Sequence, residues 1–207
     1  MRINSIPKIA LIGVLLICTG FIAIYLADIN PLAKANQEGG ELERLFDNLD
    51  VVRVRDNQTP IEIRLPDVNG MSVDLADYRG KIVFLNFWAT WCPPCVAEMP
   101  SMEKLHQKFR NKDFAMVSIS LQDNPAQVKD FFNKNKLTFT ALLDSTGEIG
   151  AGFGLREIPT TLILDKAGRA IGIVMGPRQW ESRKSIKLFE HLTDKYVASS
   201  TKDSQRR

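Results

Sequence analysis

Hydrophobic and polar positions divide this chain into an uncharged opening run, a mixed connector, and short apolar strands interleaved with helical patterns. No charged residue occurs from Ile9 to Ala27, a run long enough to span a bilayer. Asp28 and Pro31 end it. Residues 28–58 read as a linker or stalk, in which Glu41 to Leu49 carries apolar residues at the spacing of a short amphipathic helix. Ile61 to Leu65 and Met71 to Leu75 then alternate around the turn Asp67-Val68-Asn69-Gly70, as a β-hairpin should. Lys81 to Phe87 is short, continuous, and rich in β-branched and aromatic residues, the mark of a buried strand. Further strands are predicted at Phe114–Leu121, Phe139–Leu143, Ile158–Asp165 and Ala170–Met175. Helical patterns follow Cys95, start at Asp123-Asn124-Pro125 and run to about Asn135, and close the fold from Trp180 to Val197. Pro100 falls inside the first of these and should kink it. Ala198 to Arg207 is small, polar and charged, the composition of a disordered tail.

Strands alternating with helices and ending in a hairpin plus a helix describe an α/β sandwich with a mixed sheet. The domain scheme is an N-terminal signal anchor at 1–27, a linker at 28–58, one folded domain at 59–197, and a tail at 198–207. At 207 residues, 44% hydrophobic and 25% charged, the chain can bury a full core. A net charge of +3, with no basic stripe interleaved with aromatics, gives no footing for nucleic-acid binding. Arg2 and Lys8 ahead of the apolar run keep the N-terminus cytoplasmic and export the rest. A cleaved signal peptide is the competing reading, but its apolar region is typically shorter, about 7–15 residues.

The chemistry is concentrated in Asn86-Phe87-Trp88-Ala89-Thr90-Trp91-Cys92-Pro93-Pro94-Cys95. A Cys-x-x-Cys at a strand-to-helix junction is a redox motif. Cys92, at the helix start, is the candidate nucleophile, because the helix dipole and free N–H groups favour its thiolate. Cys95, one turn in, is the resolving thiol. A permanent two-residue staple would remove little unfolded-chain entropy, and a zinc site lacks two further ligands. The third cysteine, Cys18, reads as a small hydrophobe in the apolar run. On a helical projection, Glu98 falls within roughly 60° of Cys95, Met102, Leu105 and Phe109. Its carboxyl is therefore expected to be at least partly buried, with a raised pKa, and to exchange protons with Cys95. The alternative is a first-turn acid that complements the helix dipole. Trp91 is expected to flank the sulfur as a contact surface, with Trp88, Met99 and Met102 in the core. His106 and His191 are read as lying on solvated faces.

The block from Ile61 to about Tyr196 resembles the membrane-anchored, extracytoplasmic thioredoxin-like proteins of the TlpA/ResA/CcmG group. The resemblance rests on the hairpin ending in Tyr78-Arg79-Gly80-Lys81, the Cys-Pro-Pro-Cys core, and Glu98-Met99-Pro100. An inserted helix and strand from Pro125 to Leu143, and Ile158-Pro159-Thr160-Thr161, complete it. It implies a thioredoxin-like three-layer sandwich with a mixed sheet, an N-terminal β-hairpin and that insert. It also implies thiol–disulfide exchange in the reducing direction, with no cofactor and no metal. Pro159 would be the cis-proline facing the dithiol; a proline opening a central strand needs such a reason in any case. Trp91, Pro93, Pro94, Ile158, Pro159 and Thr160 would bind the client, with the Ile158 backbone pairing to an extended segment. Ordinary thioredoxins carry a buried aspartate where this chain has Asn86, which cannot titrate. The implied partners are exported disulfide proteins, among them apocytochrome c with its Cys-x-x-Cys-His segment. A membrane thiol-electron transporter would be the reductant. The implied location is the bacterial inner membrane, single-pass, with the domain on the periplasmic side. A disulfide oxidase or isomerase of other exported proteins is the alternative. A thiol peroxidase is disfavoured, because Ala89 and Leu85 stand where its threonine and proline would be.

Overall fold

The computed structural model describes residues 31–54 and 59–194, with side chains from residue 39 onward. The chain divides into two units, one up to Arg44 and one from Leu45. The described part of the first is a single helix, α1 (Pro31–Asp47), whose last turn belongs to the second. Among the described residues no helix is long and apolar enough to cross a membrane. The Ile9–Ala27 run and the 198–207 tail lie outside them.

The second unit is built on seven consecutive buried residues, Ile82–Trp88, which form strand β4. The elements before it are β1 (Val52–Arg53), β2 (Arg64–Pro66) and β3 (Ser72–Asp74). Those after it are α2 (Pro93–Phe109), β5 (Phe114–Leu121), α3 (Pro125–Asn135), β6 (Thr140–Asp144) and the short α4 (Glu148–Gly152). Strands β7 (Thr160–Leu164) and β8 (Ala170–Met175) and helix α5 (Arg183–Asp194) complete the order. The main sheet runs β1-β8-β7-β4-β5-β6. Strands β4, β5 and β6 are parallel, while β7 pairs antiparallel with β4, β8 with β7, and β1 with β8. This is the mixed thioredoxin-like sheet, with β2 and β3 as the separate hairpin and α3–β6 as the insert.

Strand periodicity sends alternate residues of β4 to opposite faces. Val83, Leu85 and Phe87 join a core with Leu162, Leu164, Val117 and Ile119 that is roofed by Ile63 and Leu75. On the opposite face Phe84 meets Trp180 edge-on, with centroids 4.6 Å apart, and Phe189 at 5.7 Å. Trp88 packs on Phe131 and Phe132 of the insert. Each buried aromatic or aliphatic side chain of this kind contributes roughly 1.5–3 kcal/mol relative to exposure.

Several boundaries differ from the sequence reading, each for a visible reason. The sheet takes in Val52 and Arg53, which fall in the stretch read as linker; a two-residue strand is too short to show alternation. The hairpin strands are shorter, because the Ile61 N–H bonds the Gly168 carbonyl and Leu75–Tyr78 closes into a 3₁₀ turn. The Asp74 carboxylate caps that turn at Ala76 N. The closing helix begins at Arg183, since Ser182 Oγ accepts the Ser185 N–H and Trp180 is engaged elsewhere. His191 is buried rather than solvated. His106 is half-buried, and burial lowers its pKa. Trp88, Met99 and Met102 are core residues, as the sequence reading has them.

The N-terminal segment of this unit is packed in, with Phe46, Leu49 and Val51 buried. Gly172 makes that possible: a Cβ there would stand 2.6 Å from Val51 Cγ1 and 3.3 Å from the Phe46 ring. Gly172→Ala is therefore expected to destabilise the protein by about 1–3 kcal/mol, the range for overpacking. Urea unfolding checks this; an unchanged midpoint would mean the segment moves aside without cost.

Candidate active site

β4 ends at Trp88 and the chain turns once before α2. The Cys92 N–H donates to the Ala89 carbonyl at 3.2 Å, closing a turn with Thr90 and Trp91 at its tip. Cys92 is the N-cap of α2, and its sulfur accepts the Cys95 N–H at 3.3 Å. Pro93 and Pro94 occupy first-turn positions whose N–H groups have no intrahelical partner. Cys92 and Cys95 are joined as a disulfide. Both sulfurs are largely covered, and the rim around them is Trp91, 61% exposed, with Pro93 and Pro94.

The Ile158–Pro159 peptide bond is cis, the isomer read from the sequence. It brings the Ile158 carbonyl oxygen to 3.7 Å from Cys92 Sγ. The disulfide has no proton to donate there, so this contact becomes a hydrogen bond only for the Cys92 thiol. Ile158 is half-buried and Pro159 is buried, its carbonyl accepting the Gly176 N–H at 2.8 Å. Thr160 is buried and its hydroxyl donates to the Glu157 carbonyl, so its side chain supports this edge from within.

Glu98 is 1% exposed. Its Oε1 accepts from Asn86 Nδ2 at 3.0 Å; its Oε2 accepts from Trp180 Nε1 at 2.9 Å and from the Arg178 N–H at 3.1 Å. Burial pushes the Glu98 pKa up, against the pull of those three donors and the Arg178 charge. The raised direction agrees with the sequence reading. The donors do not appear in it: Arg178 and Trp180 lie 80 and 82 residues downstream, with no local signal. Asn86, read as inert, is the carboxylate's support from β4, and its Nδ2 also donates to Thr161 Oγ1 at 3.0 Å. The first-turn dipole reading of Glu98 does not fit so enclosed a group. Among the described residues no cluster of three metal-ligating side chains occurs.

The arrangement is a dithiol/disulfide at a helix N-terminus, an exposed aromatic rim, a backbone edge beside the outer sulfur, and a buried titratable carboxyl one turn behind the inner one. Comparison with known proteins gives it a context. The family model described as the AhpC/TSA family matches residues 57–171. The thiol-disulfide oxidoreductase ResA of Bacillus thuringiensis is 36% identical over 115 residues, 56% of this chain and 66% of that protein. The match thus spans just under two thirds of that relative's length. The thioredoxin-like protein YneN of Bacillus subtilis is 36% identical over 147 residues, covering 70% of this chain and 85% of that one. The crystal structure of StoA from Bacillus subtilis superposes with a TM-score of 0.54 at 29% identity, over 62% of this chain and 98% of StoA. A DsbF homologue from Corynebacterium diphtheriae gives 0.59 at 28%, over 69% and 92%.

A carboxyl whose folded-state pKa stands above its unfolded value favours the fold in its protonated form. That contribution is fully present below the ordinary value of 4.5 and is lost as pH rises through the folded value. Wild-type stability relative to Glu98→Gln is therefore expected to fall across that window. Urea titrations of the oxidised proteins at stepped pH measure it, and parallel curves would show that Glu98 does not titrate there.

Proposed function

Because the chain belongs to the AhpC/TSA family, we propose that it is an extracytoplasmic thiol–disulfide oxidoreductase that reduces protein disulfides through Cys92 and Cys95. The observation that carries this reading is the Cys92–Cys95 disulfide at the α2 N-terminus beside the Ile158 backbone. In the reduced enzyme the Cys92 thiolate attacks one sulfur of a client disulfide. The client S–S bond breaks, its other sulfur leaves as thiolate, and a Cys92–client mixed disulfide forms. The Cys95 thiolate then attacks Cys92 Sγ, forms the internal disulfide, and releases the second client thiolate. Two electrons pass from the enzyme dithiol to the client.

Cys95 must lose its proton before the second step, and Glu98 takes it, directly or through one water. Support comes from the raised Glu98 pKa and its place one turn after Cys95. Among the described residues the Asn86 Oδ1 atom has no hydrogen-bond partner. Turning that amide end for end offers Oδ1 to the protonated Glu98 carboxyl, so the site holds either form of the acid.

The client lies along Trp91, Pro93 and Pro94 and pairs in extended form with the Ile158 backbone, next to Pro159 and Thr160. A reductant on the oxidising side of a membrane needs a supply of two electrons per cycle, so a membrane thiol-electron transporter is the partner that restores the dithiol. The uncharged Ile9–Ala27 run anchors the domain on the inner membrane, facing the periplasm. Exported disulfide proteins, including apocytochrome c, are the clients.

A Cys95→Ala variant is expected to accumulate mixed disulfides with exported proteins, and Cys92→Ser to form none. Recovery of no such adducts would remove the exchange reading. Direction rests on the reduction potential: a value near the roughly −120 mV of a strong oxidant would exclude a reductant.

A further inference from the structure

The turn that delivers Trp91 and Cys92 is held from beneath by a buried carboxylate. Thr90, at the turn's second position, donates its N–H to Asp123 Oδ2 at 2.8 Å and its hydroxyl to Asp123 Oδ1 at 2.6 Å. Ser120, at the end of β5, donates its hydroxyl to Asp123 Oδ2. Asp123 is 6% exposed. It is not the cap of α3, although the sequence Asp123-Asn124-Pro125 reads as one; Asn124 Oδ1 takes that part, accepting the Ala126 N–H at 2.9 Å. The carboxylate is thereby committed to the turn.

We propose that Asp123 is a positioning residue for client recognition, fixing the Ala89–Cys92 turn so that Trp91 presents its ring beside the outer sulfur. The proposal rests on the thiol-exchange reading above and adds to it which reaction the clamp serves. A turn has few internal contacts, and this one carries a large exposed ring. Bidentate acceptance from a single residue fixes both the position and the rotation of the Thr90 peptide. Only a carboxylate satisfies all three donors, since an amide of the same shape would turn an NH₂ group toward one of them. A protein client meets Trp91 before its disulfide reaches Cys92, whereas a small disulfide reaches the sulfur without it. Loosening the turn should therefore separate the two reactions.

Steady-state kinetics of the full-length protein test this, with a small dithiol as electron source and its direct reaction subtracted, insulin as the protein disulfide and hydroxyethyl disulfide as the small one. For Asp123→Asn, kcat/KM with insulin is expected to fall on the order of 10–100-fold, the cost of misplacing a binding group by an ångström. The loss should lie in KM rather than kcat, and hydroxyethyl disulfide should change by less than about threefold. Thr90→Val, which keeps the N–H and loses the hydroxyl, should fall between, and Thr90→Ser should match wild type. That pair carries the test if Asp123→Asn does not fold. Equal losses with both substrates, or none with either, would overturn the proposal.

A second readout needs no activity. Trp88 and Trp180 are fully buried, so acrylamide-accessible fluorescence of the oxidised protein reports Trp91. Its quenching should change in Asp123→Asn and Thr90→Val and stay constant in Thr90→Ser. Unchanged quenching in the first two would refute the clamp even if neither probe were reduced, whereas a wild type that reduces neither probe counts against the exchange reading alone.

Discussion

Withdrawing the Glu98 carboxylate from water costs several kcal/mol, and the fold meets that cost with donors drawn from distant parts of the second unit. Asn86 reaches it from β4, while Arg178 and Trp180 reach it from the segment between β8 and α5. Hydrogen bonds to a charged group contribute about 1.5–3 kcal/mol each, so three of them offset the desolvation without removing it. That balance leaves the acid titratable with a raised pKa. Much of the architecture follows from holding those donors in place. The Trp180 ring lies edge-on to Phe84, its backbone N–H bonds Ser101 Oγ, and Ser101 also donates to the Glu98 carbonyl. The Arg178 guanidinium reaches the Leu49 carbonyl, bringing the buried N-terminal segment into the same frame.

The two faces of β4 divide the work. Phe87, Leu85 and Val83 face the core roofed by the hairpin, and they make the sheet stable. Asn86 faces α2, where the sheet supplies a polar atom rather than a hydrophobic one. A titrating group at that strand position would compete with Glu98 for the same buried space. An amide instead lends a donor to the ionised acid and, turned over, an acceptor to the neutral one. The acid that the proposed mechanism uses for the Cys95 proton thus sits on the helix that carries the cysteines, three positions after Cys95.

The central strands were legible in the sequence because they are buried on both faces and read as short, largely apolar runs, β4 most clearly. Helix starts were legible where proline and a polar cap coincide, as at Asn124-Pro125. Cys92, Cys95 and the burial of Glu98 followed from spacing and helical projection, which are local properties, whereas Pro159 followed from the family resemblance. What escaped was everything set by long-range closure. β1 is two residues with no period of its own. The donors to Glu98 come from 80 and 82 residues away. Asp123 sits in a helix-start pattern that local rules read as a cap, and only the return of β5 beside β4 brings it under Thr90. His191 lies among charged residues in sequence yet turns inward, since the outer positions of α5 suffice for its lysines and glutamate.

Two buried carboxylates serve the segments that carry the dithiol, and their donors differ in kind. Glu98 gathers single N–H groups from separate elements, so its surroundings depend on the whole unit being closed. Asp123 gathers two donors from one residue and one from the adjacent strand end, so its hold on the turn is local and stiff. In the proposed mechanism the inner sulfur passes its proton to an acid whose affinity is raised by burial, and the outer sulfur lies next to a turn held by the second carboxylate. The two proposed roles rest on carboxylates with no hydrogen-bond donor in common, so a change at one leaves the partners of the other in place.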